Sequence, residues 1–109
     1  MKIQLTAGAY QDLEDLYNYI ADKDSVTSAE YVAENIKKQV ESLANFPNRG
    51  NFVKELLAIG NKNYKEVYFK PYRIIYRVKN EDVFIFIIAD GRRDLKTLLE
   101  KRLLGGCEK

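Results

Sequence analysis

The chain has 109 residues, of which 46% are hydrophobic and 31% are charged, and its formal net charge is +2. This length and balance predict one globular domain spanning residues 1–109 and exclude a largely disordered chain. The sequence contains no histidine, which excludes serine-histidine triads, cysteine-histidine pairs and histidine metal sites, so any proton transfer would use Lys, Tyr, Asp or Glu.

No segment has the run of apolar residues that a signal peptide or a membrane span needs, which predicts a cytoplasmic protein with no membrane partner. The single cysteine, Cys107, cannot form an internal disulfide or a cysteine-cluster zinc site, and we interpret it as incidental. No Gly-rich phosphate loop or metal-ligand spacing is present. The sequence therefore predicts neither a cofactor nor a metal ion.

The first 46 residues predict a strand followed by two helices. The segment KIQLT alternates apolar and polar residues, as a short strand does. From Tyr10 to Ile20 apolar residues recur at three- and four-residue spacing, which predicts an amphipathic helix that ends near KDS. A second helix is predicted to begin at a capping box formed by Thr27 and Glu30 and to continue until Pro47.

The second half predicts a sheet. PNRGN is a turn by composition, and FVKELLAIGNKN, which follows it, has no decisive pattern. Three segments rich in β-branched and aromatic residues then predict consecutive antiparallel strands: YKEVYF, YRIIYRV and VFIFIIA. The last of them is apolar on both faces and should be the most covered. LKTLLEKRLL predicts a short final helix, so the fold class is α+β, with an N-terminal strand, a two-helix hairpin, a three-stranded antiparallel meander and a short C-terminal helix.

Charge is segregated along the chain. Residues 8–46 carry eight acidic side chains against three lysines, for a net charge of −5. Residues 61–80 carry six basic side chains against one acidic, for +5, and residues 91–109 have a net charge of +3. This pattern favours an anionic partner for the C-terminal half, such as a phosphate backbone or an acidic protein surface. The alternative is a basic surface that serves only solubility.

The strand YRIIYRV places basic side chains on one face, because side chains alternate across a strand. Arg73, Ile75, Arg77 and Lys79 share this face, whereas the opposite row, beginning at Tyr72, suits a core beneath the helices. Burying an unpaired cation costs several kcal/mol, so the basic row is predicted to face water or a partner. The alternative for Arg73 is an ion pair with an acidic residue across the sheet: Asp90 or Asp94.

Arg92 and Arg93 directly follow the next strand and should lie at one margin of the same sheet. We therefore expect the sheet to collect four basic residues on one concave surface: Lys65, Arg73, Arg77 and Arg93. Such a cluster could bind phosphate oxygens in a bidentate way and stabilise the charge that develops during RNA cleavage.

Two further groups of side chains are interpreted as structural. Four tyrosines interleave with the basic residues and could stack on bases, although core packing is the better interpretation: Tyr64, Tyr68, Tyr72 and Tyr76. Three carboxylates lie on the predicted surface of the first helix and are interpreted as solvated charges: Asp12, Glu14 and Asp15.

These segments, namely a helical first half, a PNRG turn, YKEVYFKPYRIIYRV, VFIFIIADGRRD and a leucine-rich end, together resemble the RelE/ParE superfamily. Its members are toxins of type II toxin-antitoxin modules, of the plasmid stabilisation type. The resemblance covers nearly the whole chain and implies a compact toxin that a cognate antitoxin neutralises. RelE-like members are metal-independent mRNA interferases that cleave mRNA in the ribosome, whereas ParE-like members inhibit DNA gyrase.

The resemblance assigns the catalytic positions of RelE-like toxins to Arg73, Arg93 and, with a small alignment shift, Lys65. The C-terminal tyrosine of those toxins falls on Leu99, which cannot transfer a proton. The remaining basic candidates would contact the nucleic acid or protein target: Arg77, Arg92 and Lys79. We therefore expect a growth-arresting toxin, with gyrase inhibition slightly favoured. The alternatives are a ribosome-dependent ribonuclease and a non-toxic interaction domain.

Overall fold

The computed structural model describes residues 1–104, and in it a five-stranded mixed sheet carries a helical hairpin on one face and short helices on the other. The strands run in the spatial order β1-β5-β4-β3-β2. β1 pairs with β5 in parallel and the other pairs are antiparallel. The strand bounds are β1 Lys2–Leu5, β2 Asn51–Phe52, β3 Lys65–Phe69, β4 Tyr72–Lys79 and β5 Asp82–Asp90. The predicted α+β class is confirmed, and the predicted meander is β3 to β5.

Two long helices form the hairpin, α1 Ala7–Lys23 and α2 Val26–Ser42. The predicted capping box for α2 is wrong: Ser25, in an extended conformation, accepts a hydrogen bond from the Ser28 backbone N–H at 3.0 Å, and Thr27 lies inside the helix. A serine one residue before the helix satisfies a free backbone donor as well as threonine does, so α2 begins earlier than predicted.

The hairpin covers the face of the sheet that was predicted to be apolar. Ile74 and Tyr76 of β4 are fully buried there, and Tyr72 and Val78 pack at its margin, as the strand alternation predicted. We call this cluster the helix-side core. Its other buried members come from both helices and from β3 and β5: Ala9, Ile36, Val40, Leu43, Val67, Val83, Ile85 and Ile88.

A second core on the opposite face was not predicted. The unassigned segment after the PNRGN turn contains β2 and the four-residue helix α3, Lys54–Leu57. Together with α4, Lys96–Leu99, these elements cover the sheet and bury eight residues, which we call the short-helix core: Val53, Leu56, Tyr64, Ile75, Ile87, Ala89, Leu95 and Leu99. The predicted final helix is confirmed as α4, which continues into a π-helical turn, Glu100–Leu104.

Five of the nine residues of β5 are buried, more than in any other strand, and they belong to both cores, which confirms the prediction that β5 is the most covered strand. A register shift opposite Ile75 and Tyr76 places two consecutive residues of β4 against Ile87 and Ile85, and so leaves Phe86 as an extra residue on β5. Within residues 1–104, no helix has the length and apolar character needed to cross a membrane. Cys107 lies outside the described residues.

Candidate functional site

Arg73 is buried rather than open to solvent. Its residue is 6% exposed, and all three guanidinium nitrogens donate to carboxylates. Nε donates to Glu66 Oε1 at 2.7 Å, while Nη1 and Nη2 donate to Glu55 Oε2 and Oε1 at 2.9 and 2.8 Å. The prediction that this row faces water or a partner is therefore wrong for Arg73, because α3 covers this face and supplies Glu55. The alternative prediction, an ion pair of Arg73 with Asp90 or Asp94, is wrong as well.

The carboxylates around Arg73 come from two different elements. Glu66 of β3 is 3% exposed, and its second oxygen accepts a hydrogen bond from the Tyr68 hydroxyl at 2.7 Å. Hydrogen bonds from Arg73 lower the pKa of Glu55, and Glu55 in turn is the main cause that raises the pKa of Arg73. Burial, followed by the bond to Glu66, raises the pKa of Tyr68. One cation faces two anions, so the cluster carries a net charge of −1.

A cleft of about 280 Å³ opens beside Arg73, and we call it the Arg73 cleft. Arg92 lines it and forms an ion pair with Asp90, with Nη2 2.7 Å from Oδ2, which lowers the pKa of that carboxyl. Arg93 is exposed and does not line the cleft, so the arginine that accompanies Arg73 is Arg92, not the predicted Arg93. The other lining residues are Lys54, Tyr68, Lys70, Pro71 and Gly91.

Gly91 allows the end of β5 to approach Arg73 closely. A Cβ atom at this position would lie 2.8 Å from the Pro71 carbonyl oxygen and 2.9 Å from Arg73 Cδ. The Gly91 backbone N–H also donates to the Pro71 carbonyl at 2.7 Å. The glycine that precedes the two arginines in GRRD therefore permits the close contact that packs the Arg73 side chain.

Lys65 and Arg77 lie in a second cleft, also of about 280 Å³, where β3 begins and β4 approaches its end. We call it the basic cleft. Lys65 is directly opposite Tyr76, which belongs to the helix-side core, whereas Arg73 is opposite Tyr68 on the other face. The prediction that one surface collects Lys65, Arg73, Arg77 and Arg93 is therefore wrong. The basic cleft is lined by Asn48, Lys62, Asn63, Lys65, Tyr76, Arg77 and Val78.

Two of the three basic residues of this cleft, Lys65 and Arg77, rest on aromatic rings. Lys65 Nζ lies 5.1 Å from the centroid of the Phe52 ring and 3.5 Å from the Asn48 carbonyl oxygen. The Arg77 guanidinium lies 5.6 Å from the centroid of the Tyr64 ring. Lys79 is exposed at the end of β4, opposite Asp82, and does not line the cleft.

The tyrosines of the sheet serve mainly in packing, as predicted. Tyr64 and Tyr76 are buried and Tyr72 packs against the helix-side core, while Tyr68 is 42% exposed and binds Glu66. The Tyr76 hydroxyl donates to the Pro47 carbonyl at 2.7 Å and accepts from the Gly50 N–H at 3.1 Å, which fixes the PNRG turn. Leu99, which the resemblance aligns with the RelE-like tyrosine, is 1% exposed in the short-helix core.

A further ion pair that the sequence did not predict joins Asp12 to Arg102. Asp12, interpreted as a solvated charge, lies 2.6 Å from Arg102 Nη2, and its Oδ2 also accepts the Ile88 N–H at 3.0 Å. Arg102 Nη1 donates to the Phe86 carbonyl at 2.8 Å. These bonds join the C-terminal turn to α1 and β5 across 90 residues of sequence, and no local pattern could have shown the pairing.

The groups that could perform acid-base or metal chemistry are few. Among residues 1–104, no group of three or more Cys, Asp or Glu side chains could hold a metal ion. Each of the two clefts instead combines cations with at least one polar neutral side chain. In the Arg73 cleft, Arg73 and Arg92 are already paired with carboxylates. The cations of the basic cleft form no ion pair within 4 Å among residues 1–104, so only this cleft is suited to binding an anion.

Comparisons with known proteins agree with this architecture. A family model described as the ParE toxin of type II toxin-antitoxin system, parDE, matches residues 3–95. Toxin ParE3 of Caulobacter vibrioides is 28% identical over 91 residues, which are 84% of this chain and 87% of that protein. A solved structure described as the chromosomal ParDE TA system from P. aeruginosa has the same fold, with a TM-score of 0.69 and 21% identity over 83% of this chain and 95% of that one. The chain belongs to the ParE toxin family of type II toxin-antitoxin systems, within the RelE/ParE superfamily.

Proposed function

We propose that this toxin arrests growth by inhibiting DNA gyrase and that a cognate antitoxin neutralises it. The observation that carries the choice of target is the state of Arg73, whose guanidinium is almost fully buried between Glu55 and Glu66. The alternative, RNA cleavage, would require that guanidinium to bind the scissile phosphate. The two ion pairs of Arg73 make binding of a phosphate by this guanidinium unfavourable.

Releasing Arg73 to a phosphate would leave Glu66 buried without its cation. Breaking one partner out of a buried ion pair typically costs about 3–5 kcal/mol. A phosphate would also meet two carboxylates at this point, and like charges repel most strongly where water is excluded. Leu99 adds a second difficulty for the ribonuclease, because it is a core residue at the position where RelE-like toxins carry tyrosine. Both observations favour a protein target.

The test compares the two targets with one preparation of the purified chain. We expect the toxin to reduce the supercoiling of relaxed plasmid by gyrase and ATP, and to leave a reporter mRNA intact in a translating extract. Relaxation by topoisomerase I in the same buffer is the control, because a protein that merely coats the plasmid would inhibit both enzymes. Unchanged supercoiling together with new mRNA 5′ ends would instead establish the ribonuclease.

The antitoxin part of the proposal is tested in cells. The family description and the solved ParDE system both support a toxin that is made with a partner. We expect induced expression of this chain alone to stop growth, and co-expression of its antitoxin, which we expect from an adjoining reading frame, to restore growth. The two products should also purify together. Normal growth on induction, with the chain present at full length, would support the non-toxic interaction domain.

A further inference from the structure

We propose that the basic cleft is a binding site for phosphate groups, of either a free nucleotide or a nucleic-acid strand. The cleft combines three cations, Lys62, Lys65 and Arg77, with two asparagines, Asn48 and Asn63. This inference goes beyond inhibition of gyrase, since it requires neither gyrase nor an antitoxin. It assigns a ligand to a part of the surface that lies apart from the Arg73 cleft.

The three cations converge without neutralisation. No carboxylate lines the cleft, and within residues 1–104 none of the three forms an ion pair within 4 Å. Three arginines elsewhere in residues 1–104 are each paired with an acidic side chain, namely Arg73, Arg92 and Arg102, whereas Arg77 shares with Arg49 and Arg93 the lack of an ion pair. Three like charges around one cleft repel one another, and an anion that enters the cleft relieves this repulsion.

Aromatic rings hold two of these cations in place while leaving their charge available. Lys65 lies over Phe52 and Arg77 over Tyr64. The Tyr64 ring is itself fixed, since its residue is 7% exposed and it packs edge-on against Phe86 with 5.5 Å between centroids. A cation on a ring face keeps N–H donors for a ligand, so the contact orients the side chain without occupying it.

The set of donors fits a phosphate better than a carboxylate. A carboxylate carries one charge on two oxygens, whereas pyrophosphate or successive phosphodiesters present several charges and many acceptor oxygens. Three cations and two side-chain amides match the larger number of acceptors, and arginine in addition forms bidentate bonds to phosphate. The volume of about 280 Å³ leaves room for such a group.

The experiment uses the purified full-length chain and two probes. Titration calorimetry with pyrophosphate measures the isolated phosphate group, and the anisotropy of a labelled 12-nucleotide single strand measures a phosphate backbone. Arg77→Gln and Lys62→Gln each remove one charge from the cleft. Lys37→Gln is the matched control, because it removes the same charge from an exposed position on α2 outside the cleft. Circular dichroism of each variant verifies the fold.

We expect binding of at least one probe at low salt, weakened about tenfold in each cleft variant and less than about twofold in Lys37→Gln. If the strand binds, each cleft variant should also reduce the slope of log affinity against log salt by about one. Binding of pyrophosphate alone would assign the site to a free nucleotide. The proposal fails if neither probe binds, or if Lys37→Gln weakens binding as much as the cleft variants do. None of these outcomes depends on inhibition of gyrase.

Discussion

Arg73 and Glu66 lie on neighbouring strands and meet at 2.7 Å between Nε and Oε1, although each residue is at most 6% exposed. Tyr68 donates to the other oxygen of Glu66, and Glu55 covers the far side of the guanidinium. The cluster of Arg73, Glu55 and Glu66 thus holds β3, β4 and α3 together on the face of the sheet opposite to the hairpin. Its two carboxylates differ in burial, so we expect their loss to affect stability unequally.

We expect Glu66→Gln to lower the free energy of unfolding by about 3 kcal/mol, because it removes a charge from inside a buried pair. Glu55→Gln should cost only about 1 kcal/mol, since the Glu55 side chain is 25% exposed and water can replace part of the interaction. Urea unfolding of the two variants measures both values. Equal losses would show that burial does not set the strength of these two pairs.

The stability should also fall in acid. Arg73 lowers the pKa of Glu55 and Arg92 lowers the pKa of Asp90 in the folded chain, so the unfolded chain binds protons first as the pH drops. Their contribution is complete above about pH 5, where unfolded carboxyl groups are ionised, and is lost as the pH falls through the lower folded values. Unfolding midpoints between about pH 6 and pH 3 should therefore decrease, and Glu55→Gln should flatten this decrease.

Glu30→Gln provides the control for that experiment, because Glu30 is exposed on α2 and forms no ion pair within residues 1–104. We expect its stability to follow the same pH dependence as the parent chain. A flattened curve in both variants would mean that the effect reflects net charge and not the pair with Arg73.

Tyr76→Phe should destabilise the fold by about 1–3 kcal/mol, because it leaves the Pro47 carbonyl and the Gly50 N–H without their partner. Tyr31→Phe, which removes a hydroxyl from a residue that is 63% exposed, should change stability by less than about 0.5 kcal/mol. Thermal unfolding compares the two. Hydrogen exchange should accelerate at Gly50 in Tyr76→Phe alone, and protection unchanged there would contradict the role of the hydroxyl.

Gly8 and Arg102 should behave as a coupled pair. A Cβ atom at Gly8 would collide with Arg102 Nη1 and lie 3.1 Å from its Cζ, so Gly8→Ala displaces the side chain that binds Asp12. In an Arg102→Ala background this collision is absent, and alanine should stabilise α1 by about 0.5–1 kcal/mol. A double-mutant cycle from urea unfolding measures the coupling, and strict additivity would rule out the contact.

The sequence predicted the elements with a clear period and missed those without one. α1, α2, β4 and β5 span eight or more residues each, so their apolar spacing is visible. β2 has two residues, which is too short to show strand alternation, and α3 has four, which is about one helical turn and too short to show a helical period. The short-helix core was therefore unexpected. Because β2 and α3 were not predicted to cover this face of the sheet, Arg73 was expected to be exposed.

The sequence indicated which basic residues belong to the candidate sites, but it did not determine how these residues are arranged. Alternation along β4 correctly separated Arg73 from the apolar row, but the position of β3 relative to β4 decides that Lys65 lies on the other face. A shift of one residue exchanges the faces of a strand, and composition does not determine it. Likewise, the turn after β5 places Arg92, and not Arg93, in the cleft beside Arg73.

The pairing of β1 with β5 has a consequence for when this toxin becomes complete. Lys2 is opposite Asp82 and Leu5 is opposite Ile85, so β1 has no neighbour in the sheet until about 80 further residues have been synthesised. Contacts of such long sequence separation form late, because the intervening chain must first be ordered. A ribosome making this chain therefore carries an unfinished sheet for most of elongation. The toxin fold is therefore complete only after β5 has left the ribosome.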